Sequence, residues 1–351
     1  MSHRFLVRLS VVAALFVGVT LFAPVLVIAQ TELDTWTPPR TSWGSPDLQG
    51  VWDFRTITPM ERPTGFEDKD VLSDQEVAEF EAASEAQRAA LDVETPFDTV
   101  GNYNQFWFDA GTAVVDTRRT SLVVDPTDGR IPALTPDAER RRAAGTEEGR
   151  GLRRHTPTPG GFVEDLGPGG VQVRCIVGFN SGPPMTPGGY NQNMQLFQTE
   201  DYVVILNEMI HDARIVPLDG RQHLSEGLRQ WAGSSRGHWE GDTLVVETTN
   251  FLRETAFQSG LTGQRLTLVE RFRAVSPQVL SYEVTVDDST VWTAPWTYQI
   301  PMLRNGEPLY EYACHEGNYG LYNILAGARA NPESNVLTAE QAAEEAARRA
   351  R

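Results

Sequence analysis

The sequence predicts a mainly β protein, an antiparallel meander curling into a barrel-like core behind an irregular N-terminal region with a helix. Three observations predict it. After Val171 the chain reads as short stretches that alternate in polarity or are β-branched: MQLFQT, YVVILNEMIHDARIVPL, DTLVVETTNF, RLTLVERFRAV, VLSYEVTVDD, WTYQIPM and PLYEYACH. Turn signals (ED, LDGR, WEGD, RNGE) separate them at close spacing, as up-and-down pairing requires. The one clear amphipathic run of the first half, SDQEVAEFEAASEAQRAAL at 73–91, opens with Ser73 and Glu76, a capping box.

The elements follow in chain order. Arg4 and Arg8 precede an apolar run that ends Val27-Ile28-Ala29, so residues 1–29 read as a signal peptide cleaved after Ala29, leaving no stable membrane anchor. Residues 30–134 form an N-terminal region packed on the core. Within it Leu48–Phe54 alternates like a strand, the helix of 73–91 follows, and SLVVDPTDGRIPAL reads as strand, turn and return strand. Residues 135–172, charged and then rich in Gly and Pro, read as a short helix running into an exposed connection. Residues 173–329 are the β-rich core, and 330–351 form a C-terminal helical tail opened by Thr338 and Gln341. The Gly-x-Trp at Gly50–Trp52 and the up-and-down strands give the core a lipocalin-like look at the level of fold.

The totals restrict the function. With 30 Lys+Arg against 47 Asp+Glu the chain carries −17, a field that repels phosphate backbones and argues against nucleic acid as a partner. Cys175 and Cys314 are the only cysteines. In the oxidising compartment an exported chain reaches, periplasmic or extracellular, they most simply pair; two buried thiols are the alternative.

Familiar motifs do not carry the chemistry. Gly233-Ser234-Ser235-Arg236-Gly237 matches G-x-S-x-G, but a strand, WEGDTLVVE, follows it where a nucleophile elbow needs a helix, so it reads as a tight loop leading into a hairpin. His315-Glu316 lacks the second histidine of H-E-x-x-H.

Polar residues inside apolar strands are more informative. If 202–218 is one strand, period two puts Asn207 and His211 on a face with Val203, Ile205, Met209, Ala213 and Ile215. Glu247, Glu270, Glu283 and Glu311 each lie in later strands and would form a carboxylate ladder opposite His211 if those strands were adjacent. Polar groups converging on one cavity are how sites are built. The sequence therefore points to a polar-lined β cavity that binds a small organic molecule, uncharged or cationic, and leans towards cofactor-free hydrolase or lyase chemistry. His211 is the expected general base or acid, with Asp212 or a strand glutamate orienting it and His315 with Glu316 or Tyr319 completing the polar wall. Asn191, Asn193, Asn207 and Tyr319 are the expected substrate contacts. A divalent metal held by His211, His315 and one or two glutamates is the rival use of the same groups. A non-catalytic ligand-binding barrel is a further reading, and so is a surface interaction module built on Trp36, Trp43 and Trp52.

The blocks YNQFWFDAGT, RTSLVVDPTDGRIPALTP, CIVGFNSGPPM, VVILNEMIHDARIVPLDGR, GHWEGDTLVVETTNF and YEYACHEGNYGLYNILAGAR lie within residues 100–329. In them the chain resembles a family of exported bacterial proteins. The resemblance implies secretion and brings no substrate or catalytic assignment with it.

Overall fold

Among the described residues, ten strands, every pair antiparallel, make one sheet. A computed structural model describes residues 36–94, 108–148, 170–252, 257 and 265–319, with positions 322, 323, 326 and 330. The signal segment 1–29 lies outside the described residues, as does the C-terminal helix apart from residue 330. The sheet belongs to the compact unit Pro38–Arg351.

The strands are β1 Gly50–Asp53, β2 Val123–Asp125, β3 Asn193–Gln198, β4 Tyr202–Asn207, β5 Ala213–Pro217, β6 Ser234–Glu240, β7 Thr243–Thr249, β8 Thr267–Ser276, β9 Val279–Asp287 and β10 Trp296–Asn305. Their order across the sheet is β5-β4-β3-β1-β10-β9-β8-β7-β6, with β2 also paired to β10. The meander expected from the sequence is thus interrupted once. Strand β1, from the N-terminal region, sits between β3 and β10 and joins two runs of consecutive hairpins.

Helix α1 (Asp74–Glu94) carries the expected cap. The Ser73 amide donates to Glu76 Oε2 at 2.8 Å and the Glu76 amide to Ser73 Oγ at 3.3 Å. Lys69, the Ser73 amide and the Ser73 hydroxyl, which donates to Glu76 Oε2 at 2.7 Å, hold the Glu76 carboxyl down at about 2. Helix α2 (Pro136–Glu148) and the single turn α3 (Gly170–Val173) follow it in the chain.

Alternation sets the core. Strands β8, β9 and β10 bury every second residue: Leu268, Glu270, Phe272; Leu280, Tyr282, Val284, Val286; Trp296, Tyr298, Ile300, Met302. Each large apolar side chain removed from water contributes about 1.5–3 kcal/mol. Trp52, Phe54, Phe251, Phe272, Tyr282, Trp296 and Tyr298 are all fully buried and fill the concave side of the sheet.

The sheet is strongly curled. Arg214 of β5 and Glu270 of β8 are six strands apart along the sheet order. That is roughly 29 Å on a flat sheet at the ordinary strand spacing. Yet Arg214 Nη2 donates to Glu270 Oε1 at 2.9 Å. The two ends of the path also meet: a Cβ on Gly237 of β6 would fall 2.7 Å from Leu218 Cδ2 and 2.9 Å from Val216 Cγ1. No hydrogen-bonded ladder joins β5 to β6, so the sheet is not closed.

Three local expectations are corrected. Residues 202–218 are two strands, not one: β4 and β5 form a hairpin with Leu206 opposite Ala213 and Ile205 opposite Arg214. The chain reverses at Met209–His211, a single 3-10 turn in which Ile210 has φ 62° and His211 φ 48°. The reversal moves Arg214 and Val216 to the concave side and puts Ala213 and Ile215 outside. Ser234–Gly237 belongs to β6 rather than to a loop, and Ser235 Oγ is buried against Thr248 Oγ1 at 2.9 Å, far from a nucleophile elbow. PLYEYACH forms no strand. Strand β10 is already paired with β9 on one side and with β1 and β2 on the other, so no sheet edge is left beside it.

Candidate functional site

Three segments meet at the β4–β5 turn. The first is the turn itself. Asn207 N–H donates to Asp212 O at 2.9 Å, Glu208 N–H to Asn193 O at 2.9 Å and His211 N–H to Glu208 O at 3.2 Å. Met209 and Ile210 point inward and are buried. A β-branched residue in the left-handed region is a conformational outlier, and the strain is about 1–3 kcal/mol per such residue. Burial of Ile210 and the backbone bonds on both sides hold it there.

The second segment is a buried loop, residues 177–185, with only Phe179 exposed. Its Gly178 is packed so closely that a Cβ would lie 2.3 Å from Met209 Cγ. Met185, at the loop's inner end, is tied into the core. Its N–H donates to Tyr282 Oη at 3.0 Å, and its carbonyl accepts from Tyr298 Oη at 2.7 Å. Tyr282 Oη in turn donates to Glu270 Oε1 at 2.7 Å. Burial pushes both phenols well above their ordinary value, with the Glu270 charge adding to the shift.

The third segment is a strap, residues 306–319, which crosses the turn without joining the sheet. Cys314 is bonded to Cys175, just before the buried loop, with Cα atoms 6.0 Å apart. The expected disulfide is therefore present, and it links the loop to the strap across 139 positions of sequence. Such a bond accords with an exported protein.

His211 is exposed, and its Nδ1 lies 3.1 Å from the carbonyl oxygen of Tyr312 in the strap. A carbonyl oxygen can only accept, so Nδ1 is the donor, and in that tautomer the lone pair stands at Nε2. No described residue partners Nε2. Asp212, next to it, is half-buried. Burial raises its carboxyl above the ordinary range, against the opposing pull of Arg214, His211 and the Ala213 amide.

The remaining expected residues divide. Asn193 belongs to the site through Glu208, donating from Nδ2 to Glu208 Oε2 at 2.8 Å, and it accepts from Asn305 Nδ2 at 3.0 Å. Asn207 is buried at 4% exposure, and its Oδ1 has no partner among the described residues. A buried acceptor without a partner asks for an explanation, and a ligand donor is one. Asn191 supplies a backbone carbonyl to Asn180 Nδ2 at 3.4 Å. His315 and Glu316 stand exposed on the turn of the strap just beyond Cys314 and Tyr319 stands exposed at a helical position after it, with no hydrogen bond to His211 among the described residues.

The carboxylate ladder does not form. Glu247 is opposite Val269 and Glu283 opposite Arg271, on the convex face, whereas Glu270 faces inward. Glu270 is paired with Arg214 and Tyr282, Glu247 and Glu311 are exposed, and Glu283 is half-buried. Trp52 is fully buried beneath the Arg304 guanidinium, 4.3 Å from its ring centre, so it serves the core. Among the described residues no group of three His, Cys, Asp or Glu side chains is arranged to hold a metal ion, and no helix is long and apolar enough to cross a membrane.

Sequence reasoning passed over Asn180 and the Tyr312 carbonyl. Asn180 Oδ1 is a second buried acceptor without a partner among the described residues. No sequence signal marks a backbone carbonyl as a histidine's partner. No family model matches the chain, and neither a curated protein nor a solved structure matches it.

Proposed function

We propose that this is an exported protein that binds a small uncharged or cationic organic molecule at the β4–β5 turn and moves a proton there with His211. The observation that carries the reading is the His211 imidazole held in its Nδ1–H form by the Tyr312 carbonyl on a turn of two consecutive left-handed, non-glycine residues. Left-handed backbone of this kind collects at sites where placement of a side chain matters more than local stability. Nε2 is then the general base, and Asp212, whose carboxyl burial makes easier to protonate, is its neighbour. Asn207 Oδ1 accepts a hydroxyl or amide N–H of the bound molecule. The touching ends of the sheet support a barrel-like description of the core, with the site at its rim, because its interior is filled by aromatic side chains.

A thermal-shift and calorimetric screen of neutral, cationic and anionic small molecules tests the binding half, using wild type, His211→Ala and Asp212→Asn. Neutral or cationic molecules should raise the wild-type melting temperature and lose at least tenfold in affinity with His211→Ala. Molecules that bind all three proteins equally would remove this turn as the site. For the chemical half, hydrolysis of activated esters and β-elimination of model substrates are followed. A positioned general base is worth about 10²–10⁴ in rate, so an unchanged rate in His211→Ala would sink the assignment.

A further inference from the structure

We infer that the Cys175–Cys314 disulfide is a positioning device for His211, so that the acid–base form of the site is assembled only once the two cysteines are oxidised. The inference rests on the role given to His211 above. The Tyr312 carbonyl accepts twice, from His211 Nδ1–H at 3.1 Å and from the Cys314 amide at 2.9 Å. The residue that shares the histidine's acceptor is therefore itself a disulfide partner. No β-ladder ties residues 306–319 to the sheet, and Asn318 closes the strap locally, donating from Nδ2 to Cys314 O at 3.1 Å. At the other end of the bond, Cys175 begins the chain into the buried loop whose Gly178 abuts Met209, two residues before His211. The bond thus clamps the turn between the loop and the strap.

With the bond open the strap loses its covalent hold and the Tyr312 carbonyl leaves His211 Nδ1. Free in water, the imidazole goes over to the Nε2–H tautomer, and the lone pair needed for proton abstraction is no longer at the outward nitrogen. A chain still reduced before export would carry the fold without the oriented base.

The readout is the tautomer itself, which needs no substrate. Full-length protein lacking only the signal segment is labelled with ¹⁵N-histidine, and the His211 resonances are assigned by their loss in His211→Gln. Two-bond ¹H–¹⁵N spectra are recorded oxidised, after dithiothreitol, and in the Cys175→Ser/Cys314→Ser variant. Dithiothreitol becomes its cyclic disulfide as the two cysteines take up two electrons and two protons. The expected result is Nδ1–H for oxidised His211 and a shift towards Nε2–H in both reduced forms, with the sheet amides unmoved. An oxidised His211 that is not Nδ1–H overturns the inference, and so does one whose tautomer ignores reduction. Loss of the sheet amides on reduction also overturns it, since the bond would then staple the whole fold. Inactivity towards every substrate, with the tautomer switching as expected, would count against the proposed chemistry and leave the positioning intact.

Discussion

Separating Arg214 from Glu270 should be among the most damaging single changes available in this protein, while removing both charges together should be mild. Glu270 is wholly buried, and the Arg214 side chain is only 7% exposed. The pair makes two N–H···O bonds, and Glu270 also accepts from Tyr282. Burial pushes the Arg214 guanidinium down, but the Glu270 charge and hydrogen bond more than offset this. Arg214→Met leaves a carboxylate inside the sheet with one hydroxyl for company, and Glu270→Gln leaves a guanidinium without a counter-charge. Breaking a buried pair in this way costs about 3–5 kcal/mol. In urea, with a slope of about 1–3 kcal/mol/M, a loss of 4 kcal/mol lowers the unfolding midpoint by more than about 1 M. The double variant buries no charge and keeps an acceptor for Tyr282, so it should lose about 2 kcal/mol or less, which makes the coupling about 4 kcal/mol or more. The assay is a double-mutant cycle by urea unfolding. If the double variant loses the sum of the two singles to within about 0.5 kcal/mol, the pair is not coupled across the curl of the sheet and the reasoning fails.

The other expectations use the same physics. Asp212 has a raised carboxyl pKa in the fold, so ionising it weakens the folded state, and stability falls as pH rises from the unfolded value through the folded one. Asp212→Asn should therefore melt higher than wild type at pH 7 and lose that advantage near pH 3; an advantage that grows towards low pH would contradict the sign. Tyr282 and Tyr298, both raised, should not ionise in the folded protein at the ordinary pH of about 10. Absorbance titration should show them ionising only with unfolding, and their contribution to stability should be lost progressively above that pH. Gly178→Ala places a methyl group against Met209 and Ser181, which should cost about 1–3 kcal/mol and broaden the His211 resonances; a silent substitution would mean the loop does not press on the turn. Ser73→Ala should cost about 1 kcal/mol through the cap of α1, measured by urea unfolding, with no effect on ligand binding.

Much of this sheet was legible because its strands obey a period of two: β7, β8, β9 and β10 fall where alternation puts them, and Ser73 and Glu76 mark the start of α1. What stayed hidden is non-local or breaks the period. Nothing in Gly50–Asp53 says that it will be an interior strand joining two sets of hairpins, because its partners, β3 and β10, lie more than a hundred residues away. The β4–β5 hairpin was invisible for a sharper reason. NEMIHD contains no glycine or proline, β-branched Ile is a poor choice for left-handed backbone, and the apolar pattern runs through the turn unbroken. Local preference there favours an extended strand, and the tertiary fold overrides it by burying Met209 and Ile210 and by pairing Glu208 with Asn193. The conflict between local preference and final geometry is itself informative. A chain selected only for stability would place Gly or Asn at position 210, as Asn191 and Asn250 show this same fold doing elsewhere. Holding a β-branched Ile210 left-handed beside a histidine whose Nδ1 is committed to Tyr312, and whose neighbour is a carboxyl that burial raises, is a choice that stability alone does not explain. The sequence read His211 as the residue to test on the wrong structural ground, a continuous strand face. Its case now rests on a strained turn, a fixed tautomer and a disulfide that closes over both.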